Sequence, residues 1–274
     1  MSETPYQRIL LTGGTGNLGS SLRPHLTSLC EKLRVADRVD PGPARAGEEV
    51  RTVSLEDREG MLALLEGVDA VVHFGGVMKE DWELLLTGNV IGLQHLYEAA
   101  RIHGVRRVVQ ASSNHATGFY PAGQVISPSD PPRPDCLYGA TKVWGEALAR
   151  LYYDRYGIES ACLRIGSAFP EPRGRRMLPT WLSYGDLARL VRSCLLAPKV
   201  GYSVIYGVSD NRDVWWDNSV AANLGYQPED SSEPFRAAIE AAHPPLAADD
   251  PDALYQGGRF VAVMDDSRSD RDCN

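Results

Sequence analysis

The stretch Thr12-Gly13-Gly14-Thr15-Gly16-Asn17-Leu18-Gly19 decides the fold. It follows a short apolar run, Arg8-Ile9-Leu10-Leu11-Thr12, and leads into a helical pattern that extends to about Cys30. Strand, glycine turn and helix in that order build a phosphate cradle. Glycines at 13, 16 and 19 let the backbone approach a pyrophosphate and let the helix pack closely on the strand. Gly13, Gly16, Asn17, Leu18 and Gly19 are therefore candidate contacts, because a helix N-terminus offers free N–H groups and the positive end of its dipole. Glycines also serve ordinary tight turns. What separates this one is Asp37, eighteen residues beyond Gly19, closing a second strand stub, Arg34-Val35-Ala36-Asp37. An acid there accepts hydrogen bonds from the adenosine ribose hydroxyls and repels a 2′-phosphate, which favours NAD over NADP as cofactor. Arg38 and Arg34 lie close enough to soften that preference, and a solvated loop carboxylate is the alternative reading of Asp37.

Outward from the turn, residues 38–48 are rich in Pro, Gly and charge and read as a surface loop. Val68 to Phe74 is a strand ending at Gly75-Gly76, and Asn89 to His103 carries apolar residues at helical spacing. Val105 to Ala111 is a strand, Leu137 to Tyr156 a helix and Ser160 to Ile165 a strand. Short apolar strands alternating with amphipathic helices specify an α/β protein, a Rossmann-type doubly wound parallel sheet covered on both faces. The regularity fails after about residue 167, where a helix at Tyr184–Leu196, a strand at Tyr202–Tyr206 and the pair Trp215-Trp216 read as a small C-terminal substrate lobe over the sheet's carboxyl edge. The expected division is a dinucleotide-binding core at 1–166, a substrate lobe integrated with it at 167–264, and a frayed polar tail at 265–274.

Composition narrows the function. The 274 residues hold 28 Lys+Arg against 36 Asp+Glu, a formal charge of −8, which disfavours a nucleic-acid partner because backbone phosphates demand clustered positive charge. No apolar run approaches the ~18–20 residues that span a bilayer, and Met1–Pro5 lacks the basic and apolar segments of a secretory leader. The five cysteines are scattered and never form a CxxC pair, so free thiols in a reducing cytoplasm are expected. The six histidines show no metal-ligand spacing, so no metal is expected.

The chemistry sits at Tyr138-Gly139-Ala140-Thr141-Lys142, where a phenol and an ammonium four residues apart share one helix face. A nearby cation favours the phenolate and makes tyrosine a usable base. Twelve tyrosines and four lysines make about 0.2 such pairs by chance in a chain this long, so the pair carries weight although helix-surface pairs exist. Ser112-Ser113, at a strand end some 25 residues upstream, is placed to bring a hydroxyl to the same point.

Residues 12–19, the strand-end serine and the Tyr138–Lys142 pair together resemble the extended short-chain dehydrogenases/reductases over the chain to about residue 165. Further matches run nearly end to end and resemble the NAD-dependent uronate dehydrogenases. They are Ser112-Ser113-Asn114-His115, Gly118-Phe119-Tyr120-Pro121, Arg133 to Gly139, Arg164-Ile165-Gly166-Ser167, Pro170-Glu171-Pro172, Arg176-Met177-Leu178, Trp215 to Ser219 and Gln256-Gly257-Gly258. The resemblance implies Tyr138 as general base, Lys142 as its electrostatic partner and ribose ligand, and Ser113 as orienter of the reacting hydroxyl. It implies Asn114, His115, Ser167 and Arg176 as sugar ligands, with Phe260 at the edge. A hexuronate is a polyol with one carboxylate, so it needs neutral donors and acceptors plus one cation, and an arginine can bind the carboxylate bidentately. The alternatives are a surface Arg176 beside Arg173 and Arg175, a core or loop His115, and Trp215-Trp216 as lobe packing rather than sugar stacking.

Two positions depart from the family. The turn Gly75-Gly76-Val77-Met78 lacks its small polar residue and runs one residue shorter, and Ser54 stands where an acid helps bind adenine. The implied reaction is oxidation of the C1 hemiacetal hydroxyl of D-glucuronate or D-galacturonate to an aldarolactone by NAD. The implied protein is a cytoplasmic homo-oligomer with a small-molecule hexuronate as partner and neither nucleic acid nor membrane. Its rivals are a nucleotide-sugar epimerase or dehydratase on the same fold and a dinucleotide-sensing regulator without catalysis.

Overall fold

The computed structural model describes residues 4–262; the tail expected at 265–274 lies outside them. In chain order the strands are β1 (Tyr6–Thr12), β2 (Cys30–Asp37), β3 (Glu48–Thr52), β4 (Ala70–His73), β5 (Arg107–Ser113), β6 (Glu159–Ile165), β7 (Ser167–Ala168), β8 (Trp181–Leu182) and β9 (Tyr202–Gly207). Seven of them make one sheet in the order β3-β2-β1-β4-β5-β6-β9, and every neighbouring pair is parallel. β7 and β8 form a separate two-stranded ladder. From β1 the chain winds outward to β3, then returns to β4 on the other side of β1. This is the doubly wound sheet the sequence predicts, and its crevice opens beyond the carboxyl ends of β1 and β4.

Period-2 alternation explains why a parallel sheet must be covered twice. In β1, Ile9 and Leu11 enter one apolar layer, whereas Leu10 enters the other; all three are fully buried. The first layer is closed by α1 (Asn17–Leu26) and by the helix Tyr184–Leu196, through Leu22, Leu187, Leu190 and Val191. The second is closed by α2 (Arg58–Leu64), α4 (Gly92–His103) and α5 (Leu137–Tyr156), after the one-turn α3 (Trp82–Leu85). A π-helical turn, Leu86–Ile91, joins α3 to α4.

The structure differs from the sequence reading at three places. The helix after the glycine turn ends at Leu26, with Pro24 in its last turn and a 3-10 turn at Thr27–Leu29, so β2 begins at Cys30 and is eight residues long rather than a stub. β3 was not anticipated. Glu48-Glu49-Val50-Arg51-Thr52 carries one aliphatic residue, and an edge strand needs no apolar run because only one side pairs. Finally, the strand expected at Tyr202–Tyr206 is β9, which pairs with β6 as the sheet's seventh strand. Beyond it, Trp215 and Trp216 join Tyr120, Ile126 and Tyr206 in a small apolar cluster, and Trp216 stacks on Tyr206 at 4.9 Å and 4°. Lobe packing, not sugar stacking, is the role of that pair.

Candidate active site

The glycine turn is shaped for close backbone approach. Gly13 has φ 72°, and a Cβ there would lie 2.4 Å from the Phe74 carbonyl carbon. A Cβ on Gly19 would lie 2.0 Å from the Gly13 oxygen, so the helix can sit this near the turn only without a side chain. The Gly16 N–H donates to the Gly13 carbonyl at 3.2 Å, and Gly16 caps α1 in an extended conformation without a side-chain cap. No acidic residue occupies the first turn, so the positive end of the dipole is not neutralised. Asn17 is exposed, and Leu18 packs against the core. Asp37 reaches the turn: its Oδ2 accepts from the Thr15 N–H at 3.0 Å and from Thr15 Oγ1 at 2.7 Å. A carboxylate held there is at the height of the turn, where a ribose diol beside a bound pyrophosphate would find it; these residues fit a dinucleotide. Ser54 caps the next turn by its carbonyl, which accepts from the Asp57 N–H at 3.1 Å.

Ser113 ends β5, and Tyr138 and Lys142 lie in the first two turns of α5. The start of that helix is gripped from outside. Glu80, in the segment after Gly75-Gly76, accepts the Leu137 N–H at 3.0 Å and the Tyr138 N–H at 2.8 Å, satisfying two of the orphan donors of the helix. Tyr138 is buried; burial holds its phenol above the usual tyrosine range, and Ser113 pulls the other way. Lys142 donates to the Ala111 carbonyl at 3.0 Å and lies 5.3 Å from the centre of the Tyr138 ring. Burial brings its ammonium down to about 8, against the raising effect of Glu146 one helical turn further on. Burial is thus the larger influence on the phenol, and it acts on the neighbouring ammonium as well.

Four of the predicted sugar ligands meet on the other wall. Arg176 is half-buried and donates from Nε to the Gln256 carbonyl at 3.1 Å. With its amide oriented to satisfy both ends, Asn114 donates to the Ile165 carbonyl at 3.0 Å and accepts from Arg176 at 3.1 Å. Ser167 shares a hydrogen bond with Thr180 at 2.9 Å, and Thr180 in turn donates to the Arg176 carbonyl at 2.9 Å. His115 lies 4.1 Å from the Phe260 ring and 6.0 Å from that of Tyr138. Arg175 turns away to the carbonyls of Glu240 and His243, and exposed Arg173 covers Phe169, so of the three arginines only Arg176 joins this wall. Burial pulls its guanidinium down from the usual arginine value, with Asp252 and Asp135 opposing that change.

Sequence reasoning missed Glu80, Asn89, Asp135, Glu146 and Gln256. Asn89, presented by the π-helical turn, accepts from the Val77 N–H at 2.7 Å and donates to the Val77 carbonyl at 2.8 Å and to Thr141 at 3.0 Å. It thereby fixes the shortened turn, whose Met78 is half exposed. Gln256 is fully buried; it accepts from Trp216 Nε1 at 2.8 Å and donates to the Gln124 carbonyl at 2.8 Å. Three potential metal ligands, His115, Asp135 and Cys136, have ligand atoms within 4.8 Å of one another. Burial and the Asp135 charge push the Cys136 thiol up from its ordinary value. Among the described residues no helix is long and apolar enough to cross a membrane.

The fold has known counterparts. Residues 9–193 match the model of the NAD dependent epimerase/dehydratase family. The uronate dehydrogenase of Pseudomonas putida is 53% identical over 266 residues, 96% of this chain and 98% of its own. The solved uronate dehydrogenase of Agrobacterium tumefaciens is 44% identical with a TM-score of 0.91, covering 94% of this chain and 97% of its own; a tyrosine-to-alanine variant of it, complexed with NAD, gives the same values. Glucuronic acid dehydrogenase from Chromohalobacter salexigens is 47% identical with a TM-score of 0.91, covering 93% of this chain and 97% of its own. The chain belongs to this NAD-dependent family and, within it, to the uronate dehydrogenases.

Proposed function

We propose that the protein oxidises the C1 hemiacetal hydroxyl of a free hexuronate, D-glucuronate or D-galacturonate, to the aldarolactone, with NAD as the oxidant. The observation that carries this reading is the Tyr138–Lys142 pair of α5 set against the end of β5, where Ser113 lies, with Asn114 beside Ser113 accepting from Arg176. NAD held on the glycine turn supplies the hydride acceptor. Ser113 orients the C1 hydroxyl, and Tyr138, as phenolate, takes its proton while C1 gives up a hydride and its oxygen becomes the lactone carbonyl. The buried phenol must ionise first, and the Lys142 ammonium is the charge available to favour that. Arg176 binds the carboxylate, and Asn114, His115 and Ser167 take the ring hydroxyls, with Phe260 against the sugar's edge. In this reading residues 1–166 serve the dinucleotide and 167–264 complete the sugar side, in keeping with Ser167 and Arg176 on that wall. The test is the absorbance of NADH on adding free uronate. Its formation from uronates, and no conversion of a UDP-sugar, is the expected result; silence with both sinks the proposal.

We also infer a reducing cytoplasmic setting, supported by four buried free cysteines, and a homo-oligomer, supported by exposed Ile102 on α4 and Leu151 and Tyr156 on α5. Light scattering of the purified protein checks the latter.

A further inference from the structure

We propose that Asp135 is the positioning residue for His115: it fixes the proton on Nδ1, so that Nε2 faces the sugar as a hydrogen-bond acceptor. The inference deepens the function proposed above and rests on it. The Asp135 carboxylate has no exposure, and its two oxygens lie 2.9 and 3.1 Å from His115 Nδ1. An ionised carboxylate can only accept, so Nδ1 must donate. Nε2 has no hydrogen-bond partner among the described residues, and it is not among their buried orphans. The two Nδ1–carboxylate contacts and the Phe260 ring at 4.1 Å hold the imidazole in this orientation, and the Asp135 N–H ties the two backbones together at the His115 carbonyl, at 3.3 Å.

Two remote glycines leave room for this one carboxylate. A Cβ on Gly118 would lie 1.8 Å from Asp135 Oδ2, and a Cβ on Gly257 would lie 1.5 Å from the same atom. The two segments meet through the Gly257 N–H and the Gly118 carbonyl at 2.9 Å. The other ionisable groups in the cluster are the Cys136 thiol and the Tyr138 phenol, both held protonated by burial, and Arg176, which Asp252 also faces. An acceptor on this wall complements the donors Ser113 and Arg176, and a sugar hydroxyl can satisfy it by donating.

The test uses the full chain. In Asp135→Asn the amide can donate to Nδ1 and invert the tautomer. KM for free hexuronate is expected to rise at least about tenfold, with kcat within about threefold and the NAD dissociation constant unchanged. In a His115→Ala background the same substitution is expected to move KM less than about twofold. An unchanged KM in the single variant, or an equal rise in the His115→Ala background, overturns the inference. If Asp135→Asn does not fold, Gly257→Ala displaces the carboxylate with its charge kept, and the same KM rise is expected; an unchanged KM again overturns it. ¹⁵N NMR of the imidazole reads the ring without turnover. Nδ1–H in the wild type is expected, and Nε2–H there overturns the inference whatever the kinetics. A wild type with Nδ1–H that makes no NADH from either uronate overturns the functional proposal alone.

Discussion

Glu146 on α5 and Arg164 on β6 form a two-pronged ion pair beneath the active site, at 2.8 and 2.9 Å, with both side chains almost wholly buried. Ser112 donates to the same Glu146 oxygen at 2.7 Å, and Arg164 donates to the Tyr206 hydroxyl at 3.2 Å. Glu146 thus ties the helix that carries Tyr138 to β6 through Arg164 and, through Ser112, to the strand end that carries Ser113. Removing one partner strands the other charge in the core. Arg164→Met is therefore expected to cost about 3–5 kcal/mol of stability in urea unfolding, and the double replacement with Glu146→Leu should recover part of it. A single variant within 1 kcal/mol of the wild type, an order-of-magnitude threshold, would refute this account.

Tyr138→Phe keeps the ring and its packing and deletes only the hydroxyl that takes the proton. Turnover should fall at least about 10²–10⁴-fold while dinucleotide binding, followed by fluorescence, stays within about twofold. Near-normal turnover removes Tyr138 from the base's role.

For Arg176→Ala the expected change is in KM for uronate, about 10–200-fold upward, the worth of a charge-assisted contact. Because Arg176 also holds the Gln256 carbonyl, Arg176→Lys is the control, keeping the charge and losing the fork. An unchanged KM in the alanine variant excludes Arg176 as the carboxylate clamp.

His73 is buried beside Lys142, bonded to Thr12 at 2.7 Å, and burial first, then the Lys142 charge, brings its pKa from 6.5 down to about 3. Between those values the unfolded chain binds the extra proton. Stability should therefore fall as pH drops from about 6.5 towards 3, with His73 contributing up to about 1.4 kcal/mol per pH unit. His73→Gln should flatten that part of the stability profile; an identical slope in the variant sinks the assignment.

Gly19→Ala forces a methyl against the Gly13 oxygen, where the gap is 2.0 Å. The helix must move off the turn, so NAD affinity should drop at least about tenfold and stability by about 1–3 kcal/mol. Calorimetric titration with NAD measures the first, and unchanged affinity would contradict the cradle.

Local pattern made the fold legible. Leu137–Tyr156 and Tyr184–Leu196 run between the residues the sequence predicts, because long helices repeat their apolar face several times. β3 escaped because pairing at a sheet edge leaves little apolar trace, and β9 could be read as a strand but not as part of the main sheet. In the site, the glycine turn, Asp37, Tyr138 and Lys142 were legible because their spacing is short and fixed by a helix or a turn. Glu80 meets Tyr138 across 58 residues, and Asp135 meets His115 across 20 through an irregular loop. Such partners leave no periodic signal; only the folded chain brings them together.

Gln256 also sets an order of assembly. Its amide reaches back 132 and 135 residues to Gln124 and Pro121, and its carbonyl receives Arg176 from 80 residues away. On a ribosome the glycine turn and its strands emerge long before this glutamine. The wall around Arg176 can therefore close only once Gln256 has been made, after every residue of the cofactor half. A molecule stalled short of that point keeps a dinucleotide cradle beside an open, unwalled cleft.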